Sequence, residues 1–464
     1  RNMTITPVGD AALLAGPMTA VTADVRAAGG ITGSGSVVVV PATRDNALVS
    51  LRFRLAKVPM RAAEAAFDVG GRRFAAGAFV IPKANRAQLD PILKELGLEG
   101  VATGSLPKVA MHDLDVPRIG YIHSWSRTQD EGWVRAAFDH YGVPYTYFGE
   151  PMARAGNLRA KFDVIVYPHG GSGIGGAVAA DGKPVPYQRT AEFPNLGYPD
   201  STSDIRGGLG VEGMKALYEF VREGGTLITE GNTAPLFISN GLLPAAKVET
   251  APALFARGSI LRGIIADRTS PLAYGYEHAE VPVYFNQSPI INVGNLPPAT
   301  LVDGPAGAPG RGGTITPMAF PLTLSGWDPA ATGLAYGSLP AAPDAPAAAP
   351  AAAGGRGAGG RGGAGGPGGG RGGAAQALTG VVVDSTATAR VVLAFPAKAD
   401  QMLLSGTLQN GELLANRAQL VDATIGKGHL VMFAIRPFWR WQTQGTYSLG
   451  FNALPHWNDL GAGK

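Results

Sequence analysis

Apolar residues along this chain fall into short continuous runs that alternate with segments of helical spacing. Arg118–His123 (RIGYIH) reads as a buried strand, and Trp133, Val134, Ala137, Phe138 and Tyr141 then recur at helical spacing across Ser126–Tyr141. Thr128 and Glu131 have the spacing of a capping box at the start of that helix. Val143–Phe148 and Phe162–Tyr167 (FDVIVY) predict two more strands. Met214, Leu217, Tyr218 and Val221 share one face of a helix that stops at Gly224-Gly225 and leads into a strand over Thr226–Thr229. Later in the chain Ala389–Ala394 and His429–Ile435 read as strands, and the region of Phe451–Leu454 is expected to close the domain. Strand, helix, strand in repetition predicts an α/β fold with a mostly parallel sheet covered by helices on both faces.

Residues 1–108 carry the same signals on a smaller scale. Val37–Val40 and Arg73–Ile81 are strand candidates, and Leu89, Ile92, Leu93 and Leu96 mark a helix that ends at Gly97. This first α/β unit holds no catalytic constellation and reads as a packing or docking element. The second unit is expected over 116–464, interrupted by an Ala/Pro and then Gly/Arg tract at 340–375. Such a tract has no apolar surface to offset ordering entropy, so it reads as a disordered tether. Its arginines Arg356, Arg361 and Arg371 have no aromatic neighbours for base stacking, which argues against a nucleic-acid partner.

Composition narrows the chemistry. The 464 residues include 67 glycines, 36 prolines and no cysteine, which excludes disulfides, thiolate metal sites and a cysteine nucleophile. A net charge of +4 is too small to demand a nucleic-acid or membrane partner. No apolar run approaches the ~20 residues that span a bilayer. The chain starts at Arg1 without a charged-then-apolar leader, so a processed or partial chain is expected.

Open α/β sheets bind ligands beyond the carboxyl ends of their strands. His123, His169, Glu230 and Arg436 all follow predicted strands and form the candidate crevice: two bases, a carboxylate and a cation. The Gly- and Pro-rich stretch from His169 to Gly210 holds Tyr187, Arg189, Asn195, Asp200, Asp204 and Arg206, and is expected to fold over the sheet edge and close that crevice. Asp204, Arg206, Trp439 and Arg440 are the candidate ligand-binding residues, with Trp441 beside them as part of an aromatic platform for a peptide or glycan. Gly171–Gly176 matches G-x-G-x-x-G, but Pro184 and Pro186 follow where a helix would have to run. The seven histidines, His112, His123, His140, His169, His278, His429 and His456, have no metal-ligand spacing, so no metal site is assigned. No G-x-S-x-G elbow occurs between a strand and a helix.

Several segments carry a resemblance when taken together: "RIGYIHSWSRTQDEGWVRAAFDHYGVPYTY", "LRAKFDVIVYPHGG", "PNLGYPDSTSDIRGGLGVEGMKALYEFVREGGTLITEGNTAPLFI", "RGSILRG", "YFNQ" and "GKGHLVMFAIRPFWRWQTQGTYSLGFNAL". They resemble the region that follows the catalytic domain in large secreted bacterial zinc carboxypeptidases of the carboxypeptidase A kind, and that region is similar to a class I glutamine amidotransferase. The resemblance implies a flavodoxin/amidotransferase-like sheet and a periplasmic or secreted location. It also implies an upstream carboxypeptidase domain as partner, which would carry the zinc; this chain would hold no cofactor. No residue here matches the His-x-x-Glu zinc motif. An active amidotransferase places a Cys at the sharp turn after a central strand, and the corresponding place is Thr229-Glu230-Gly231-Asn232. The resemblance therefore implies an accessory region without catalysis. A rival reading is an independent hydrolase with His123 or His169 as base and Glu230 as its partner. The third is a glycan- or peptide-binding module.

Overall fold

The computed structural model describes residues 9–23, 25, 27–125, 128–171, 183–294 and 381–462. The 340–375 tract and the rest of the G-x-G-x-x-G segment after Gly171 lie outside them.

A six-stranded sheet comes first, built from β1 (Gly30–Gly33), β2 (Val37–Val40), β3 (Arg61–Ala63), β6 (Phe79–Ile81), β7 (Glu99–Thr103) and β8 (Met111–Asp113). Its spatial order is β1-β7-β2-β6-β3-β8, and β4 (Phe67–Val69) and β5 (Arg72–Phe74) make a separate hairpin. The single strand expected over Arg73–Ile81 is two strands, because the chain turns through Gly77 at φ 86° and passes from the hairpin into the sheet. The helix Arg86–Leu96 packs Leu89 and Leu93 against this sheet and ends at Gly97 in the left-handed conformation, as its sequence predicts.

The second sheet has twelve strands. Five of them, β9 (Ile119–His123), β10 (Thr146–Gly149), β11 (Val164–Tyr167), β12 (Thr226–Glu230) and β20 (Gly428–Phe433), are parallel in the order β10-β9-β11-β12-β20. In chain order that is 2-1-3-4-5, a doubly wound arrangement. The remaining strands join antiparallel: β13 (Ala246–Glu249), β14 (Ser259–Ile265), β15 (Glu280–Phe285), β16 (Ile290–Val293), β17 (Thr388–Ala394), β18 (Leu403–Ser405) and β19 (Ala418–Ile425). Parallel character is thus confined to one half, since the tight β19–β20 turn at Gly426-Lys427 returns the chain beside itself. Strands before residue 295 and after 380 share this sheet, with β20 paired to β12.

Side-chain alternation puts Val164 and Val166 of β11 on one face and Ile165 and Tyr167 on the other. The first face is covered by the helices Thr128–Tyr141 and Gln444–Asn452, through Val134, Ala137, Phe138, Leu449 and Phe451. The second is covered by Gly210–Arg222, through Met214, Leu217, Phe220 and Val221. Helices on both faces give the α/β class expected from the sequence. β10 starts only at Thr146, after Pro144, which has no N–H for the ladder, and the Phe451–Leu454 region ends a helix and forms no strand.

Two buried polar groups join the first sheet to its surroundings. Arg52 donates to the carbonyls of Leu114, Leu55, Val58 and Ala56. His112 of β8 meets His456 at 2.7 Å and Glu64 at 3.2 Å, and burial holds His456 well below the ordinary histidine range.

Candidate functional site

In the 2-1-3-4-5 order the winding reverses between β9 and β11, and the rim beyond their carboxyl ends is where a doubly wound sheet opens. His123 ends β9, His169 follows β11 by two residues, Glu230 ends β12, and Arg436 follows β20 by three. All four candidates therefore stand on one rim. Within it they separate into two clusters.

The first cluster is built around His169. The N–H of Asn232 donates to its Nδ1 at 2.9 Å, so Nδ1 carries no proton and the neutral ring is protonated on Nε2. Nε2 lies 2.7 Å from Arg436 Nη2 and 3.7 Å from Asp130 Oδ2, and Asp130 Oδ1 accepts from Arg436 Nη1 at 3.0 Å. Both Nε2 and the guanidinium are donors, so one of the two contacts of the ring has to yield. Asp130 Oδ2, at 3.7 Å, is beyond hydrogen-bond distance of Nε2. The backbone on either side is cross-linked: His169 N–H donates to Glu230 Oε1 (3.3 Å), Gly170 N–H to Asn232 Oδ1 (2.7 Å), and Asn232 Nδ2 to the Gly171 carbonyl (3.1 Å).

The turn after β12 is sharp. Glu230 closes the strand, and Gly231–Thr233 immediately form a helical turn in which Glu230 and Thr233 cap each other. The residue at the apex is Gly231, at φ 56°, and a Cβ there would lie 2.2 Å from His169 Nδ1. Only glycine fits that conformation and that contact.

The second cluster is built around His123. Its ring stacks on Tyr147 (4.2 Å between centroids, 10° between planes) and meets Trp125 edge-on at 4.4 Å. Nε2 is 2.8 Å from Oδ2 of Asp200, which also accepts from the N–H of Gly149 at 2.8 Å. Asp200 belongs to the long loop, described from 183 onward, so that loop does reach over the rim as its composition predicts. Burial holds the His123 imidazole below the usual histidine range, against the opposing effect of Asp200.

Carboxyl groups near the rim are protonated unusually easily. Burial pushes Glu230 up to about 8, against the His169 N–H and Arg436, which favour its charge. Glu131, expected to fold back as a cap, points inward instead, accepts from the Tyr147 hydroxyl at 2.9 Å, and is pushed up to about 7 by burial. Asp130 is also raised by burial, with Arg436 and Arg440 opposing.

The remaining candidates are more dispersed. Asp204 and Arg206 pair with each other in the loop at 2.7 Å, and the guanidinium holds Asp204 far below the ordinary carboxylate range. Trp439 stacks on Tyr284 at 4.5 Å, with Arg436 on its ring at 4.7 Å and Arg440 at 5.6 Å. Trp441 is 39% exposed and packs on Tyr141 and His140. Asp130, Trp133, Glu230, Arg436, Phe438 and Trp439 border a shallow crevice. Sequence reasoning missed Asp130, Glu131, Tyr147 and Asn232 as site residues. Asp130 and Glu131 fall one turn into a helix that follows a candidate strand, and that placement was the available signal.

Among the described residues no group of three or more His, Asp or Glu side chains could hold a metal ion. Also among them, no helix is long and apolar enough to cross a membrane.

No family model and no curated protein matches the chain. Among solved structures it is similar to a β-galactosidase from Bacillus circulans sp. alkalophilus, at 8% identity and a TM-score of 0.31 over 73% of this chain and 30% of that one. The cytoplasmic protein STM1381 from Salmonella typhimurium LT2 aligns at 10% identity and a TM-score of 0.31, over 73% of this chain and 99% of its own. The cytoplasmic protein STM3548 from Salmonella typhimurium aligns at 10% identity and a TM-score of 0.29, over 76% and 92%.

Proposed function

We propose that this chain is a non-hydrolytic accessory region of a periplasmic or secreted zinc carboxypeptidase-like protein, with an amidotransferase-like main sheet that serves docking and stability. The observation that carries the non-hydrolytic reading is the turn after β12. An amidotransferase needs a nucleophile at that apex, and here the apex is Gly231 with His169 seated where a side chain would be. The link to a carboxypeptidase parent rests on the sequence segments quoted above. The upstream carboxypeptidase domain is the partner in this reading, and a peptide or glycan could rest against Trp439 and Trp441.

The purified chain, supplied with zinc and peptides of varied carboxyl-terminal residues, should release no amino acid. Release that copurifies with the chain would overturn the proposal.

A further inference from the structure

We propose that the ends of β9 and β10 form a carboxylate-binding subsite, and that Asp200 of the covering loop fills it when the chain is closed. The subsite stands apart from the Gly231 turn and does not rest on the non-hydrolytic reading. His123 Nε2, a donor in the tautomer protonated there, and the Gly149 N–H converge on one oxygen of Asp200 at 2.8 Å each. The His123 ring lies between Tyr147 and Trp125, neither of which belongs to the loop. Glycine at 149 is needed for the approach. A Cβ there would lie 2.7 Å from the Trp125 ring and 3.1 Å from the Asp200 carboxylate.

The loop itself is lightly held. From 183 to 200 nearly every residue is exposed, and its Tyr187–Thr202 bridge closes the loop onto itself. Tyr187 on Trp125 (5.3 Å) and Asp200 on His123 and Gly149 connect it to the strand ends. Segments with few buried apolar contacts open at small cost. Once Asp200 lifts, two converging donors remain, walled by Trp125 and Tyr147. That combination suits a carboxylate carried on an aromatic or apolar body. Asp200 acts as a tethered competitor whose effective concentration is in the ~mM range for a short flexible segment.

The test is calorimetric titration of the full chain and its Asp200→Ala variant with benzoate, acetate and inorganic phosphate. Benzoate should bind the variant at least ~10-fold more tightly than the original chain, since the tethered competitor is gone, and more tightly than acetate or phosphate. Equal benzoate affinity in a variant with an unchanged circular dichroism spectrum overturns the proposal, as does phosphate binding more tightly than benzoate. A second measurement needs no variant: saturating benzoate should speed tryptic cleavage at Arg189 relative to chloride at equal ionic strength. Unchanged cleavage also overturns it.

Discussion

Replacing Glu230 with Gln tests the electrostatics of the rim. Its carboxyl is 5% exposed, accepts from the His169 N–H, and has its pKa raised from 4.5 to about 8. Because the folded value lies above the unfolded one, the stabilising contribution is fully present below pH ~4.5 and is lost as pH rises through ~8. A tenfold change in proton affinity is worth ~1.4 kcal/mol, so ionising this group should cost the fold about 3 kcal/mol between pH 5 and pH 8. Gln has nearly the same shape, keeps an acceptor oxygen for the same N–H group, and does not ionise. Guanidinium unfolding of both chains at pH 5 and pH 8 isolates the effect. The original chain should lose about 3 kcal/mol more than Glu230→Gln over that interval. Equal pH dependence, within ~0.5 kcal/mol, would refute the reasoning, because the carboxyl would then ionise as it does in water.

Two further substitutions test how the turn after β12 and the buried arginine of the first unit are held. Gly231→Ala places a methyl against His169 in a left-handed conformation, and should lower stability by about 2–4 kcal/mol in denaturant titration; a loss under ~0.5 kcal/mol would contradict the packing. Arg52→Met preserves much of the buried volume but removes the donor to the Leu114, Ala56 and Val58 carbonyls, while Leu55 keeps the Val58 N–H, and should cost about 2–3 kcal/mol by the same assay; a loss below ~1 kcal/mol would show those carbonyls find other partners.

The parallel half of the fold was legible because its strands are buried on both faces. FDVIVY reads as a near-continuous apolar run, and Gly224-Gly225 ends the helix that follows it and marks where the strand Thr226–Thr229 begins. The antiparallel half was not. In β14 the buried positions are Ser259, Leu261, Gly263 and Ile265, while Ile260 and Ile264 are only half-buried, so the pattern of the sequence hides the alternation of the strand. Strand-end position was enough to find His123, His169, Glu230 and Arg436, since topology alone brings such residues to one rim. It could not show that they divide into two clusters, because that division depends on Asp200 and Asn232, which reach the histidines from turns with no periodicity. Nor could spacing reveal the meeting of His112 with His456, which are 344 residues apart.

Turnover decides whether the turn after β12 is catalytically silent. Ammonia release from glutamine and hydrolysis of activated esters should be measured with the full chain and with His169→Ala. Neither protein should show a rate above buffer. A rate in the original chain that disappears in His169→Ala would overturn the non-hydrolytic reading, because His169 would then be working as a base.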